Sequence, residues 1–375
     1  MWYQNIEKEA VTMNCLCSMK KIIKSIGMMA LVGMIFVQNV AFANAATTSD
    51  RVKALYMESI SYMQSGAYDM ALESLNKAIE LDPSRVALYG QRGTIYLNQH
   101  RFQEAIRDFT KAIELAPEHA QTYGLRAVAY GNMGETIDAM RDLTKAIDLE
   151  PNNPVFYYRR GVTFEMLKGE DYALEDYNRA IELKKDDANY FYRRCMIFMH
   201  KKKHDQAMSD INAALSLEKD NIKFLSARAF LFTQTREADK AIADYERVVA
   251  ANPQDYLALD NLGVIYTDKK NFAKATEYFD RSLGVNDRHP EVYNGKGYIE
   301  YLKGNHEAAI GFYNKALECN GEYSDAYYNL AQSYEAQKDE AKALEAYKKF
   351  LKYAAYNDYD RVAQAQKRVE ELAQA

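Results

Sequence analysis

Apolar and small residues fall on helical spacing through most of this chain. Ile106, Phe109, Ala112 and Ile113 form a stripe at i, i+3, i+6 and i+7, the spacing of one face of an α-helix. The stretch from Val86 to His119 carries this stripe, and the next 34 residues answer it. Tyr89 returns as Tyr123, Tyr96 as Tyr130, Ala105 as Ala139, Ala112 as Ala146 and Pro117 as Pro151. A fixed period in this range predicts a stacked array whose units touch only their neighbours, rather than one globular core. Aligned on the small residue of the second helix, the chain gives Ala71, Ala105, Ala139, Ala173, Ala207, Ala241, Ala275, Ala309 and Ala343, each 34 residues after the last. Nine repeats follow, starting at Val52, Val86, Ala120, Pro154, Ala188, Ile222, Tyr256, Pro290 and Ser324. Each is expected to be a pair of helices, here called A and B, and the fold class is all-α.

The positions within the repeat have a physical logic. Small residues at 8 and 20 let helix A approach helix B, and bulky residues at 4, 11 and 24 fill the flanks. In the second repeat Tyr89, Gly93, Tyr96, Ala105, Phe109, Ala112 and Pro117 occupy positions 4, 8, 11, 20, 24, 27 and 32. With all seven matched, the chain resembles the tetratricopeptide repeat (TPR) family across residues 52–357. The resemblance implies a right-handed superhelical solenoid of antiparallel helix pairs. Proline at position 32 is expected to end helix B, although Lys185, Lys219, Asp287 and Gly321 stand there in four repeats. Gly66, Gly134 and Gly304 are expected to close helix A in a left-handed conformation. After the ninth repeat, Val362, Ala365, Gln366, Val369 and Leu372 predict a helix within residues 358–375, capped by Asp358, that covers the last apolar face.

A charge pattern runs through the middle of the array. Position 7 is Arg92, Arg126, Arg160, Arg194 and Arg228 in repeats two to six, and position 23 is Asp108, Asp142, Asp176, Asp210 and Asp244. In the other repeats both are lost: Glu58, Leu262, Lys296 and Leu330 stand at 7, and Ser74, Tyr278, Phe312 and Ala346 at 23. Joint presence and joint loss predict five structural ion pairs, from helix A to helix B of the same or the adjacent repeat. A basic ladder for an anionic polymer is the competing reading, and the matched aspartates cancel the charge it would need.

In TPR proteins, the resemblance implies, helix A lines a concave face through positions 2, 5, 6, 9, 12 and 13. Repeat four offers Tyr158, Arg159, Val162, Glu165 and Met166 there, repeat five Tyr192, Arg193, Met196, Met199 and His200, and repeat six Phe230. Aromatic and arginine side chains carry interface energy and methionine adapts to varied partners, so this set is the expected partner-binding surface. The bland alternative is that these aromatics pack on neighbouring helices. Repeats seven to nine present Asp260, Asn261, Asp268, Glu291, Asp325 and Glu335, an acidic end that favours an oppositely patterned peptide. No repeat has Asn at position 9 or Lys at position 5, which speaks against the family's carboxylate clamp.

The first 43 residues stand apart. Lys20, Lys21 and Lys24 precede an apolar run from Ile26 to Val37, and Ala41-Phe42-Ala43 follows, the three parts of a secretory signal peptide cleaved after Ala43. Met19 would start such a leader at ordinary length, and residues 44–51 then read as a short linker. The alternative is an uncleaved inner-membrane anchor over residues 26–43, though Gln38 and Asn39 leave it short for a span. The expected location is periplasmic, secreted or cell-surface.

Composition narrows the function. The net charge is −5 and the leader holds four Lys and two acids (+2), leaving −7 for the rest, so no nucleic-acid partner is expected. Cys195 and Cys319 read as buried free thiols, and the six His lack ligand spacing, so no metal is expected. No phosphate loop, nucleophile elbow or metalloprotease motif occurs, so no catalytic residue and no cofactor is assigned. The reading is a non-catalytic scaffold for a protein or peptide partner, acting in envelope assembly or secretion. The alternative is a membrane-tethered or self-associating structural subunit of an envelope complex.

Overall fold

The computed structural model describes residues 47–355 and 357–374. The signal-peptide reading of residues 1–43 lies outside them. Among the described residues there are nineteen helices and no strand, and the chain divides into two compact units between Pro151 and Asn152. In the first unit, α1 (Thr48–Gln64) pairs with α2 (Tyr68–Leu81), α3 (Val86–Asn98) with α4 (Phe102–Leu115), and α5 (Ala120–Asn132) with α6 (Thr136–Leu149). The second unit continues with α7 (Pro154–Met166) and α8 (Glu170–Leu183), α9 (Ala188–His200) and α10 (His204–Leu217), and α11 (Ile222–Gln234) and α12 (Ala238–Ala251). It goes on with α13 (Tyr256–Asp268) and α14 (Phe272–Val285), α15 (Pro290–Leu302) and α16 (His306–Cys319), and α17 (Ser324–Ala336) and α18 (Glu340–Tyr353). A last helix, α19 (Tyr359–Leu372), packs on α18 without a partner of its own. Within each unit, a B helix also packs on the A helix that follows it.

The hairpins close where the sequence is small. All nine alanines at position 20 are buried. At position 8, Gly93, Gly161, Gly263 and Gly297 each lie under the ring at position 24 of their own hairpin: Phe109, Tyr177, Phe279 and Tyr313. A β-carbon there would come within 2.7, 2.6, 2.4 and 2.6 Å of ring carbon, closer than any real contact. These four rings are fully buried or nearly so. Elsewhere position 8 is Ser59, Ala127, Cys195, Ala229 or Ala331, all small and all buried. Thus one face of helix A is shaped to receive one side chain of helix B, and this contact fixes how near the two axes come.

The turn from A to B is left-handed in every hairpin. Gly66, Gly134 and Gly304 have positive φ, and so do His100, Lys168, Lys202, Arg236, Lys270 and Lys338 at the same register. The residue after each donates its N–H to the carbonyl five residues back, as Arg101 does to Tyr96 and Lys203 to Phe198, both at 2.8 Å. This is the six-to-one bond of a Schellman cap, and it satisfies a carbonyl the helix end would otherwise leave open. The six non-glycine residues accept the left-handed conformation because the cap and the A–B contact together leave no other way to turn.

The helix ends bear on the sequence reading at three points. The residues from Thr48 to Arg51, expected as linker, form the first turn of α1. Thr47 caps this turn: its hydroxyl accepts from the Asp50 N–H at 3.2 Å and Asp50 accepts from the Thr47 N–H at 3.1 Å, a capping box. Second, B helices without proline at position 32 end in the same register as those with it. The residue after the helix leaves the helical region and donates back to the final turn, as Lys184 does to Ala180 and Glu150 to Ala146 at 2.9 Å. Third, Asp358 precedes α19 but makes no side-chain cap bond, pairing instead with Arg361 at 2.6 Å. Cys195 is buried and its thiol is pushed up to about 12, chiefly by burial, whereas Cys319 is half-buried. No described helix is long and apolar enough to cross a membrane.

The close approach makes Gly161→Ala a test of the packing rule. The added methyl meets the Tyr177 ring at 2.6 Å, so the ring must shift within a filled core. The substitution is expected to cost about 1–3 kcal/mol, read as a lower urea midpoint. The exposed Gly311→Ala, where a β-carbon meets nothing, is expected to show no such loss.

Candidate functional site

Helix A of each hairpin has two working faces. One turns toward helix B, and there the five Arg–Asp pairs lie. Arg92 donates from Nε and Nη2 to the two carboxylate oxygens of Asp108, both at 2.7 Å. The same two-bond geometry joins Arg126 to Asp142, Arg160 to Asp176, Arg194 to Asp210 and Arg228 to Asp244, at 2.7–2.9 Å. Each pair lies within one hairpin, and each Asp is buried. Hydrogen bonding to Asp108 holds the Arg92 guanidinium above its ordinary value.

The arginine does more than its pair. Its Nη1 reaches back to position 25 of the preceding hairpin. Arg92 meets Asn76 at 2.6 Å, Arg126 Thr110 at 3.0 Å, Arg194 Asn178 at 2.7 Å and Arg228 Asn212 at 3.0 Å. One guanidinium therefore ties its own helix B and the previous one, using the fixed fork that only arginine offers. Where the pair is absent its replacements still match. Ser74 donates to Glu58 at 3.0 Å, and Lys296 lies 5.1 Å from the Phe312 ring while pairing with Asp280 of the preceding hairpin. Leu262 with Tyr278, and Leu330 with Ala346, are buried apolar substitutes.

The other face was expected to hold a Tyr-Arg-Met cluster for a partner. The structure brings part of it together and turns part of it inward. Tyr192 and Arg193 are 4% and 8% exposed. The Tyr192 ring lies 5.0 Å from Phe224, and Lys223 sits 4.9 Å from its centroid. Arg193 lies 3.6 Å from Glu165, which also accepts from the Tyr177 hydroxyl. Tyr158 joins this group, 5.9 Å from the Tyr177 ring and 5.0 Å from Tyr190. Burial raises the Glu165 carboxyl while Arg193 opposes it, and burial followed by Glu165 holds the Tyr177 hydroxyl well above the tyrosine range. Burial also lowers the half-buried Arg159. Tyr192 and Arg193 thus belong to the protein's own packing, which differs from the partner contact expected for them. The reason is that adjacent A helices close over positions 5 and 6.

The remaining members stay nearer to water. Val162 packs against the group around Tyr177 and Ile197, and Met196 and Met199 rest half-buried on the core of the second unit. Met166, His200 and Phe230 are exposed, with His200 Nδ1 2.6 Å from Glu170. The acidic end is also smaller than the sequence suggests. Asp325 pairs with Arg361 of α19 at 2.7 Å, and Arg368 Nε donates to Glu335 at 2.6 Å. Asp260 faces His289 at 3.1 Å. The last helix therefore occupies groove positions 2 and 12 of α17, and Gln364 accepts from Tyr328 at position 5, at 2.7 Å.

A row of which the sequence reading singled out only Phe230 completes the face. Phe230, Val264 and Tyr298 stand at position 9 of three successive A helices and are 39%, 51% and 40% exposed. Leu257 and Leu302 flank them, also exposed, with the acids Asp268 and Glu291 nearby in the sequence and in contact with water. A signal existed: these three apolar residues recur at the 34-residue period on a position that faces away from helix B. Among the described residues, no group of three His, Cys, Asp or Glu is placed to hold a metal ion.

Family models agree with this architecture. Family models described as tetratricopeptide repeat match residues 86–119, 120–153, 228–287, 271–324 and 312–345, and one described as TPR repeat matches 61–100. Together they span more than half of the sequence, and the chain belongs to the tetratricopeptide repeat family. No curated protein matches it. Among solved structures, a chain in the crystal structure of the APC/C hetero-tetramer Cut9–Hcn1 is similar over 85% of this chain and 63% of its own, at 16% identity and a TM-score of 0.51. Yeast Tom70 is similar over 87% of this chain and 96% of its own, at 16% identity and a TM-score of 0.45. MamA from Desulfovibrio magneticus RS-1 is similar over 46% and 98%, at 18% identity and a TM-score of 0.43. At these identities the likeness concerns the fold alone.

The Arg–Asp geometry gives a double-mutant cycle. Arg194→Ala leaves Asp210 buried without its counter-charge, and a loss of about 2–4 kcal/mol is expected. In the Arg194→Ala, Asp210→Ala double variant the loss should be smaller than the sum of the singles by at least about 1 kcal/mol. Additive urea midpoints would show that the two side chains do not act as a pair.

Proposed function

We propose that this chain is a non-catalytic scaffold that binds a partner protein through the A-helix face of its second unit. The observation that carries this reading is the row of Phe230, Val264 and Tyr298, three large apolar side chains held in water at one repeat position. Packed helices lie about 8–10 Å apart, so the row presents an apolar group at about that interval. A partner α-helix with an apolar residue every seventh position repeats at about 10.5 Å on one face. An amphipathic helix laid across the A helices fits this ladder, the mode in which apolar anchors enter a helix-lined groove. Tetratricopeptide repeats supply position rather than reactive groups, which supports a binding role over catalysis.

The order of charged, apolar and small residues from Lys20 to Ala43 supports action outside the cytoplasm, in envelope assembly or secretion. The same apolar run supports a second reading, a subunit tethered to the membrane by an uncleaved leader.

Two measurements test these readings. Affinity capture from the native envelope fraction is expected to retain a partner with the wild-type chain and lose it with Phe230→Ser, Val264→Ser, Tyr298→Ser, with helical circular dichroism and urea midpoints recorded in parallel to show that the triple variant remains folded. Retention of every partner by the triple variant would move the binding surface elsewhere. The intact mass of protein purified from its native host is expected to begin at Asn44. A mass that includes residues 26–43 would favour the tethered subunit instead.

A further inference from the structure

Asp260, on α13, faces the start of α15. His289, the N-cap residue of α15, has Nδ1 3.1 Å from Asp260 Oδ2 and Nε2 3.2 Å from Glu291 Oε2. The imidazole and the Asp260 carboxyl are largely shielded from water, at 12% and 17% exposure, and the Tyr256 ring stands edge-on to the imidazole with centroids 5.3 Å apart. Neither His289 Nδ1 nor Asp260 Oδ1 makes a hydrogen bond among the described residues.

Counting hydrogens shows what this arrangement lacks. A neutral imidazole carries one N–H and two carboxylates carry none. With both ring nitrogens against carboxylate oxygens, one of the two contacts sets lone pair against lone pair. One added proton, on the ring or on Asp260, removes that repulsion, and a small rotation of the ring or the carboxyl then brings a hydrogen into each contact. The surrounding groups favour its uptake. Burial raises the Asp260 carboxyl to about 7, the Ser282 hydroxyl of α14 opposes the rise, and the charges of Glu291 and of Asp255, the N-cap of α13, add to it. Burial lowers His289, with Glu291 opposing. From α12, Tyr245 faces Asp255 rather than Asp260.

We propose that Asp260, His289 and Glu291 form a proton-operated joint between α13 and α15, closed when the cluster takes up one proton beyond the N–H of the neutral imidazole and loosened when it gives that proton up. The joint lies on the same two helices as Val264 and Tyr298, and its chemistry is independent of whether those residues bind a partner. The direction follows from linkage. Asp260 is raised in the folded chain, so its contribution is present at acidic pH and is lost as pH rises through about 7. His289 is lowered, so as pH falls through its ordinary value of about 6.5 the unfolded chain gains a proton too, and the stabilisation stops growing.

Hydrogen exchange of the full chain between pH 8 and pH 6, corrected for intrinsic exchange rates, tests the joint. The opening of α13 and α15 is expected to fall about two- to threefold in total on acidification from pH 8 to pH 6, because proton uptake by Asp260 is partly offset by His289 of the opened chain, while α9 and α10 show no such fall. Asp260→Asn removes the raised carboxyl and leaves only the opposing titration of His289, so the opening should no longer fall on acidification. His289→Gln removes that opposing titration and leaves the buried Asp260 to titrate alone, so the fall should steepen. A wild-type fall no larger than that of α9 and α10, a fall kept by Asp260→Asn, or a fall unchanged in His289→Gln, would overturn the proposal.

Discussion

The contact beneath the position-24 side chain is the constraint on which the rest depends. A ring of helix B, or Leu75, Leu143 or Ile211 in three hairpins, stands opposite a residue of helix A with little or no side chain, and the distance between the two axes is set there. Once it is set, the alanine at position 20 has room for nothing larger, and the A–B turn has one geometry in which to close. That is why six turns accept a left-handed residue with a β-carbon: the cost of about 1–2 kcal/mol is smaller than that of separating two packed helices. The same distance brings positions 7 and 23 face to face, so they must match in charge or in apolarity. They do so in every hairpin, by five different combinations.

Much of this was legible in the sequence because helical packing writes a period. Ala71 to Ala343 mark nine B helices, and the small residue at position 8 marks the A helix opposite each. The pairing of Arg with Asp could be read from joint loss, although whether it lay inside one hairpin could not. The third partner, Asn or Thr at position 25, was present in the sequence as Asn76, Thr110, Asn178 and Asn212. It went unread because amides and hydroxyls are common on exposed helical faces. Other features left no mark. A lysine such as Lys168 carries no sign of positive φ, since the conformation is imposed by the hairpin and not preferred by the residue. The early start of α1 did leave a sign, the Thr47 and Asp50 capping box.

The A-helix face was the hardest part to read, for a reason specific to aromatic and arginine side chains. Such residues serve equally well as partner anchors and as internal packing, and position alone does not decide between them. Tyr192 and Arg193 look like anchors in sequence and are interior in the structure, joined to Phe224, Glu165 and Tyr158. Val264, chemically unremarkable, is one of the most exposed apolar residues of the second unit. What separates them is how closely neighbours approach: Tyr192 meets Phe224 of the next A helix and Arg193 meets Glu165 of the one before, whereas position 9, half-buried as Val162 and Met196, is exposed as Phe230, Val264 and Tyr298.

The backward reach of each arginine has a consequence for the order in which the chain is built. Asp108, Asp142, Asp210 and Asp244 follow their arginines in sequence, but Asn76, Thr110, Asn178 and Asn212 precede them. In these four hairpins, therefore, one half of the anchor lies in chain already passed and the other in chain still to come. Each such hairpin is seated on its predecessor as well as on itself, so the array has a built-in direction, from the amino end to the carboxyl end.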